Sequence, residues 1–227
     1  MPEEYTELTI EDPTSSAYEE AVKINSLIDK NIIKPREVAD ATEIQLTELA
    51  GRVSQLIAIN ITSNPGDDRK KAMTILGLGN PKDKPARLRL LAGGFVLSAY
   101  LKSTAHDNFA GLILTGSRVR IRTTPSINSD QDVTFVAQPG VNVLNLGDHD
   151  KIVHLAERLL GAPIDWNPLY EHDYTNNSHA PNDYPHIDSD SIVIIPDRRI
   201  RKIFMKTFAD QLRGPQTDFS GSAFERF

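Results

Sequence analysis

The hydrophobic period of this chain changes near residue 105 and changes back near residue 148, which confines it to a few architectures. Before the first change, apolar residues recur three and four apart, the spacing of a helix with one buried face. Ser16 with Glu19 forms a capping box, opening a helix over residues 17–33 with Ala21, Ile24, Leu27 and Ile28 inward. Thr42 with Gln45 forms a second box. Behind it Leu46, Leu49, Val53, Leu56 and Ile57 repeat at helical spacing, and the run ends before Asn64-Pro65-Gly66. Asp67 caps a short helix to Leu76, residues 77–85 are a loop, and residues 86–104 are a buried helix. The Gly93-Gly94 pair inside that helix costs about 1 kcal/mol per glycine, and close helix–helix packing explains it.

Between the two changes the period is two. Leu112-Ile113-Leu114, Arg118 to Arg122, Val133 to Val136 and Val141 to Leu144 read as short strands with turns between them. Asp148 then caps a helix that stops at Gly161, residues 162–190 form a long aromatic and polar loop, and Ile192–Ile195 is a buried strand. Pro196-Asp197 starts a final helix with Ile200, Ile203, Phe204, Phe208 and Leu212 on one face, closed by Gly214-Pro215. The expected fold is α+β: a mostly helical body with a small central antiparallel β element and extended arms. Residues 1–15 form the N-terminal arm and residues 214–227 the C-terminal arm. A single domain spans 16–213, helical over 16–104, β-rich over 110–146 and helical over 148–213.

At 227 residues the chain buries enough surface to fold without staples. With 39% hydrophobic and 25% charged residues it is neither a disordered chain nor a coiled-coil rod. Zero cysteines exclude disulfides, thiol nucleophiles and cysteine-ligated metals. No apolar run is long enough to span a membrane, and the acidic start MPEEYTELTIEDP is unlike an export signal. The expectation is an intracellular protein.

The net charge of −6 is strongly segregated. Residues 69–122 hold eleven bases against two acids, whereas residues 123–194 hold eleven acids against two bases. Such a layout gives a basic face on an acidic body, a field that attracts polyanions. Three clusters are candidates for contact with single-stranded RNA. Lys84, Arg87 and Arg89 form the first. Arg118, Arg120 and Arg122 form the second, on one face of an expected strand, about 6.6 Å apart along it. Their guanidinium forks suit phosphate oxygens, although pairing with Asp130 and Asp132 across a hairpin is the alternative. Arg198, Arg199 and Lys202 form the third, in the first turns of a helix, where cations oppose the macrodipole unless an anion compensates. Lys206 continues the ridge Arg198, Lys202 at spacing four.

Other constellations are weaker. His172, His179 and His186 stand among acids and offer a cysteine-free donor set, but a loop gives their spacing no geometric meaning, and no metal or other cofactor is expected. Gly77-Leu78-Gly79-Asn80-Pro81 resembles the opening of peptidyl-tRNA hydrolases, yet no histidine motif follows it, so that activity is not implied. No nucleophile elbow, Walker loop or paired-carboxylate motif is present. Phe219, Phe224 and Phe227 in the C-terminal arm are too few for a core of their own and suit docking onto a neighbouring copy.

The layout resembles that of helical nucleocapsid proteins, whose arms link subunits around a basic RNA groove. The resemblance implies a viral nucleocapsid or coat-type subunit, found in the virion and host cytoplasm, with single-stranded RNA and further copies of itself as partners. An RNA-free scaffold or matrix-like protein is the alternative, and a metal-dependent hydrolase using the three histidines a more distant one.

Overall fold

Local signals in the first described stretch set up a helical layer. The computed structural model describes residues 33, 35–62, 84–105, 107–120, 125–126, 128–175, 187–188 and 190–213. A short helix α1 (Pro35–Ala39) precedes α2 (Glu43–Thr62). The expected capping box closes the start of α2: Thr42 N donates to Gln45 Oε1 at 2.8 Å, and Gln45 N donates to Thr42 Oγ1 at 3.4 Å. Its inward residues Leu46, Leu49 and Val53 are buried. Helix α3 spans Lys84–Thr104, beginning slightly earlier than the spacing predicts. The expected helices over 17–33 and 67–76, and both arms, lie outside the described residues.

Strand β1 (Phe109–Thr115) reads FAGLILT and is buried at every position. A strand apolar on both faces needs both covered, and this requirement sets the layering. Strand β2 (Gln131–Ala137) pairs antiparallel with β1. Helix α4 (His149–Leu160) is capped by Asp148, which accepts from Lys151 N, and ends at Gly161 with φ 75°, as its sequence predicts. Strand β3 (Ile164–Leu169) and the short helix α5 (Glu171–Thr175) follow, within the segment expected to be loop. Strand β4 (Ile192–Ile194) leads into α6 (Arg198–Thr207) and α7 (Ala209–Arg213), so the single last helix is interrupted at Phe208.

The sheet order is β3-β2-β1-β4, with β4 antiparallel to β1 and β3 parallel to β2. The fold is therefore α+β, but the sheet is mixed rather than antiparallel. Parallel neighbours need a crossover of a dozen or more residues, and α4 with its flanking segments supplies it. The expected strand over 141–144 does not form, and of the one expected over 118–122 the described residues, 118–120, are not in a strand. The 116–120 segment is a turn on Gly116 (φ 84°), with Val119 N and Arg120 N both donating to Gly116 O at 3.2 and 3.3 Å. Residues 141–144 are irregular.

Each face of the sheet carries its own core. On one, Leu112, Leu114, Val133 and Ile194 pack with Leu46, Leu91, Leu101 and Leu155 of the α1–α4 layer. On the other, Ile113, Val136, Leu169 and Val193 pack with Tyr174, Ile200, Phe204 and Leu212 of the α5–α7 layer. The glycine pair in α3 makes the expected helix–helix contact at Gly93 only, Gly94 lying against the sheet. A Cβ on Gly93 would strike the carbonyl of Leu159 in α4, and one on Gly94 would come within 2.8 Å of Ile194 Cδ1. The helix can lie against both α4 and β4 only because neither residue has a side chain.

Candidate functional site

Helix α6 carries the densest cationic feature. Its sequence, RRIRKIFMKT, holds five cations and no acid. Ile200, Phe204 and Met205 are buried in the second core, which turns Arg198, Arg199, Lys202 and Lys206 to the surface, where all four are exposed. Arg198, Lys202 and Lys206 make a row with steps of about 6 Å, the rise of four helical residues. Arg201 departs from the row and donates Nη1 to Ile195 O at 3.2 Å. The helix N-terminus is closed by Asp197, whose Oδ1 accepts from Arg199 N at 2.9 Å and Ile200 N at 3.0 Å. The compensating anion at this end is thus the chain's own carboxylate, and the cations act as a surface row rather than as a helix-terminus site.

The other candidates have different surroundings. Arg118 Nε donates to Ser129 O at 2.7 Å, and Arg120 Nε to Asp188 Oδ2 at 3.2 Å with both side chains 23% exposed. These contacts tie the turn after β1 to the β2 approach and the β4 approach. Neither arginine belongs to a strand, and Arg122 lies outside the described residues. Asp132, the other proposed partner, sits in register with Asp165. Burial and the nearby Asp130 and Asp165 push its carboxyl up, with Arg120 offsetting part of the effect.

Arg89 lies against Gly161 at the C-terminal end of α4. A Cβ on that glycine would meet the guanidinium carbon at 2.5 Å, and this is the helix end where a cation is favoured. Lys84 and Arg87 occupy the first turn of α3, with side chains outside the described set.

Topology separates the three clusters. Helices α3 and α6 pack on opposite faces of the sheet. Leu112 pairs with Ile194 and Leu114 with Ile192, so the Arg118–Arg120 turn leaves the sheet at the end where β4 begins. Helix α6 starts beyond the other end of β4. Among the described residues, Arg89, the Arg118–Arg120 turn and α6 therefore stand at different places on the sheet.

A cleft of about 460 Å³ is lined by Gly140, Val141 and Asn142 from one loop and by Tyr170, Glu171, His172 and Thr175 around α5. Helix α5 packs on α6. Tyr174 donates its hydroxyl to Ala137 O at 3.2 Å. Burial pushes that phenol up, helped by Glu171 and by Asp197 at the start of α6. His172 Nε2 is 3.0 Å from Asp173 Oδ1, and the buried Asp173 accepts from Tyr170 N through Oδ2 at 2.8 Å. The Tyr170 and His172 rings are near-parallel, at 9° with centroids 6.1 Å apart. Both aromatic residues stand in the sequence, but nothing local signals a cleft, because its second wall is supplied by residues thirty positions earlier in the chain.

Among the described residues no group of three or more His, Asp or Glu side chains is arranged to hold a metal ion. His179 and His186 lie outside those residues, as do Phe219, Phe224 and Phe227. No described helix is long and apolar enough to cross a membrane. No family model, curated protein or solved structure matches this chain.

Proposed function

We propose that this chain is a structural subunit of the viral nucleocapsid or coat type, which packages single-stranded RNA and assembles with copies of itself through its arms. The observation that carries the reading is the row on α6: five cations with no acid in ten residues, four of them exposed, on a helix anchored by its opposite face. A row with steps of about 6 Å suits successive phosphates of an extended strand, and the acidic remainder of the chain keeps the polyanion on this face. The role requires no chemistry at the RNA, so the subunit is non-catalytic in this reading.

Titration of the full chain with single-stranded RNA at several salt concentrations tests it. The logarithm of affinity falls with that of salt by about 0.7 per phosphate neutralised. Lys202→Glu with Lys206→Glu is expected to lower that slope by at least 1.4, about two phosphates' worth. Arg52→Glu is the control, since exposed Arg52 stands on α2, 3.9 Å from Glu37. A slope near zero, or equal losses from both variants, would sink the reading. Binding to anionic lipid vesicles but not to RNA would select the scaffold or matrix-like alternative.

A further inference from the structure

We propose that the cleft between the 140–142 loop and α5 receives a base of the bound strand, stacked on the Tyr170–His172 ring pair. The inference rests on the RNA-packaging reading and adds that the protein engages bases as well as phosphates.

The cleft has the size of a small-ligand site, at about 460 Å³. Its aromatic wall is already a stack: two rings within 9° of parallel, with the His172 side chain 63% exposed. A third flat ring extends that stack without rearrangement, and aromatic platforms of this kind hold bases of any sequence. The wall is also preorganised. Asp173, its side chain 3% exposed, faces His172 Nε2 with one oxygen and binds Tyr170 N with the other. One buried carboxylate thus meets the His172 ring and holds the backbone that carries Tyr170. The opposite wall is tied down as well, since Gly140 N donates to Glu171 Oε2 at 2.9 Å.

Charge decides which part of a nucleotide fits. Glu171 lines the cleft and Asp173 lies directly behind it, so a phosphate is repelled there, whereas an uncharged base is not. Phosphates find their cations on α6, the element against which α5 packs. Bases are available in this way only in a single strand, because a duplex keeps them stacked and paired.

The test compares three probes on the full chain: a short single-stranded RNA, an abasic strand of the same length, and the corresponding duplex. The wild-type protein is expected to bind the RNA about tenfold more tightly than the abasic strand, within the range for one stacked base. His172→Ala, at an exposed position, is expected to lose that tenfold while keeping the salt slope and the circular dichroism. His172→Phe, which restores a ring, is expected to recover it. Equal wild-type affinity for RNA and abasic strand with the salt slope intact, or no effect of His172→Ala on RNA binding, overturns the cleft while the packaging reading stands. Failure of both single strands to bind with any salt slope overturns both.

Discussion

The environment of Asp132 opposes its charge. The residue is half-buried, faces Asp165 across parallel strands, and has Asp130 beside it, so its carboxyl holds a proton more tightly in the fold than in the open chain. At neutral pH both forms are ionised and the residue destabilises the fold; below the ordinary value of 3.8 both are protonated and the penalty vanishes. Asp132→Asn is therefore expected to raise the melting temperature at neutral pH. The gain should shrink as pH falls through the raised value and be absent below 3.8. Thermal melts of the two proteins across that range check it; a gain constant with pH would mean that shape rather than charge is responsible. The same residue scale shows how alternation misleads. Arg118-Val119-Arg120 has the pattern of a strand face, but Gly116 in the left-handed region turns the chain first, and alternation has no meaning once the backbone is not extended.

Helix starts and stops are set by atoms within a few residues of one another, which is why Thr42, Asp148, Gly161 and Asp197 perform the roles their positions predict. Packing between elements has no such local signal, and paired glycines test the difference. Gly51 on α2 and Gly93 on α3 both interrupt helices. A Cβ on Gly51 meets nothing within 4 Å, whereas one on Gly93 strikes the backbone of α4. Gly51→Ala is expected to stabilise by about 1 kcal/mol through helix propensity. Gly93→Ala is expected to destabilise by up to about 2 kcal/mol, because an overpacking penalty at the upper end of 1–3 kcal/mol outweighs that gain when the obstacle is backbone. Urea midpoints of the two variants should move in opposite directions, and movement in the same direction would remove close approach as the reason for the α3 pair.

For the molecule as a whole, the two cores and the proposed assembly make separate demands. Leu212, near the last described residue, is fully buried in the second core. Phe219, Phe224 and Phe227 each contribute about 1.5–3 kcal/mol if docked in an apolar groove, and a groove on the next copy would propagate head to tail. Deletion of residues 215–227 is expected to leave helical circular dichroism unchanged and to abolish higher oligomers in sedimentation. Persistent assembly would show that the arm is not the linker; unfolding would show that its phenylalanines pack within their own subunit.

The caps at Thr42, Asp148, Gly161 and Asp197, the Leu112-Ile113-Leu114 run of β1 and the α+β class are legible in the sequence, because their signals lie within a few residues, whereas β3 and α5 are not. Only the tertiary structure decided that β3 lies parallel to β2, since Asp165, Asn167 and Pro168 in IDWNPL read as loop until β2 offers its edge. It also decided that Arg89, Arg118 and Arg198 lie apart: charge adjacent in sequence says nothing about which face of a sheet a helix will cover. The cleft at Tyr170 and His172 is of the same kind, made when residues far apart in the chain are brought together by burying the two faces of one sheet.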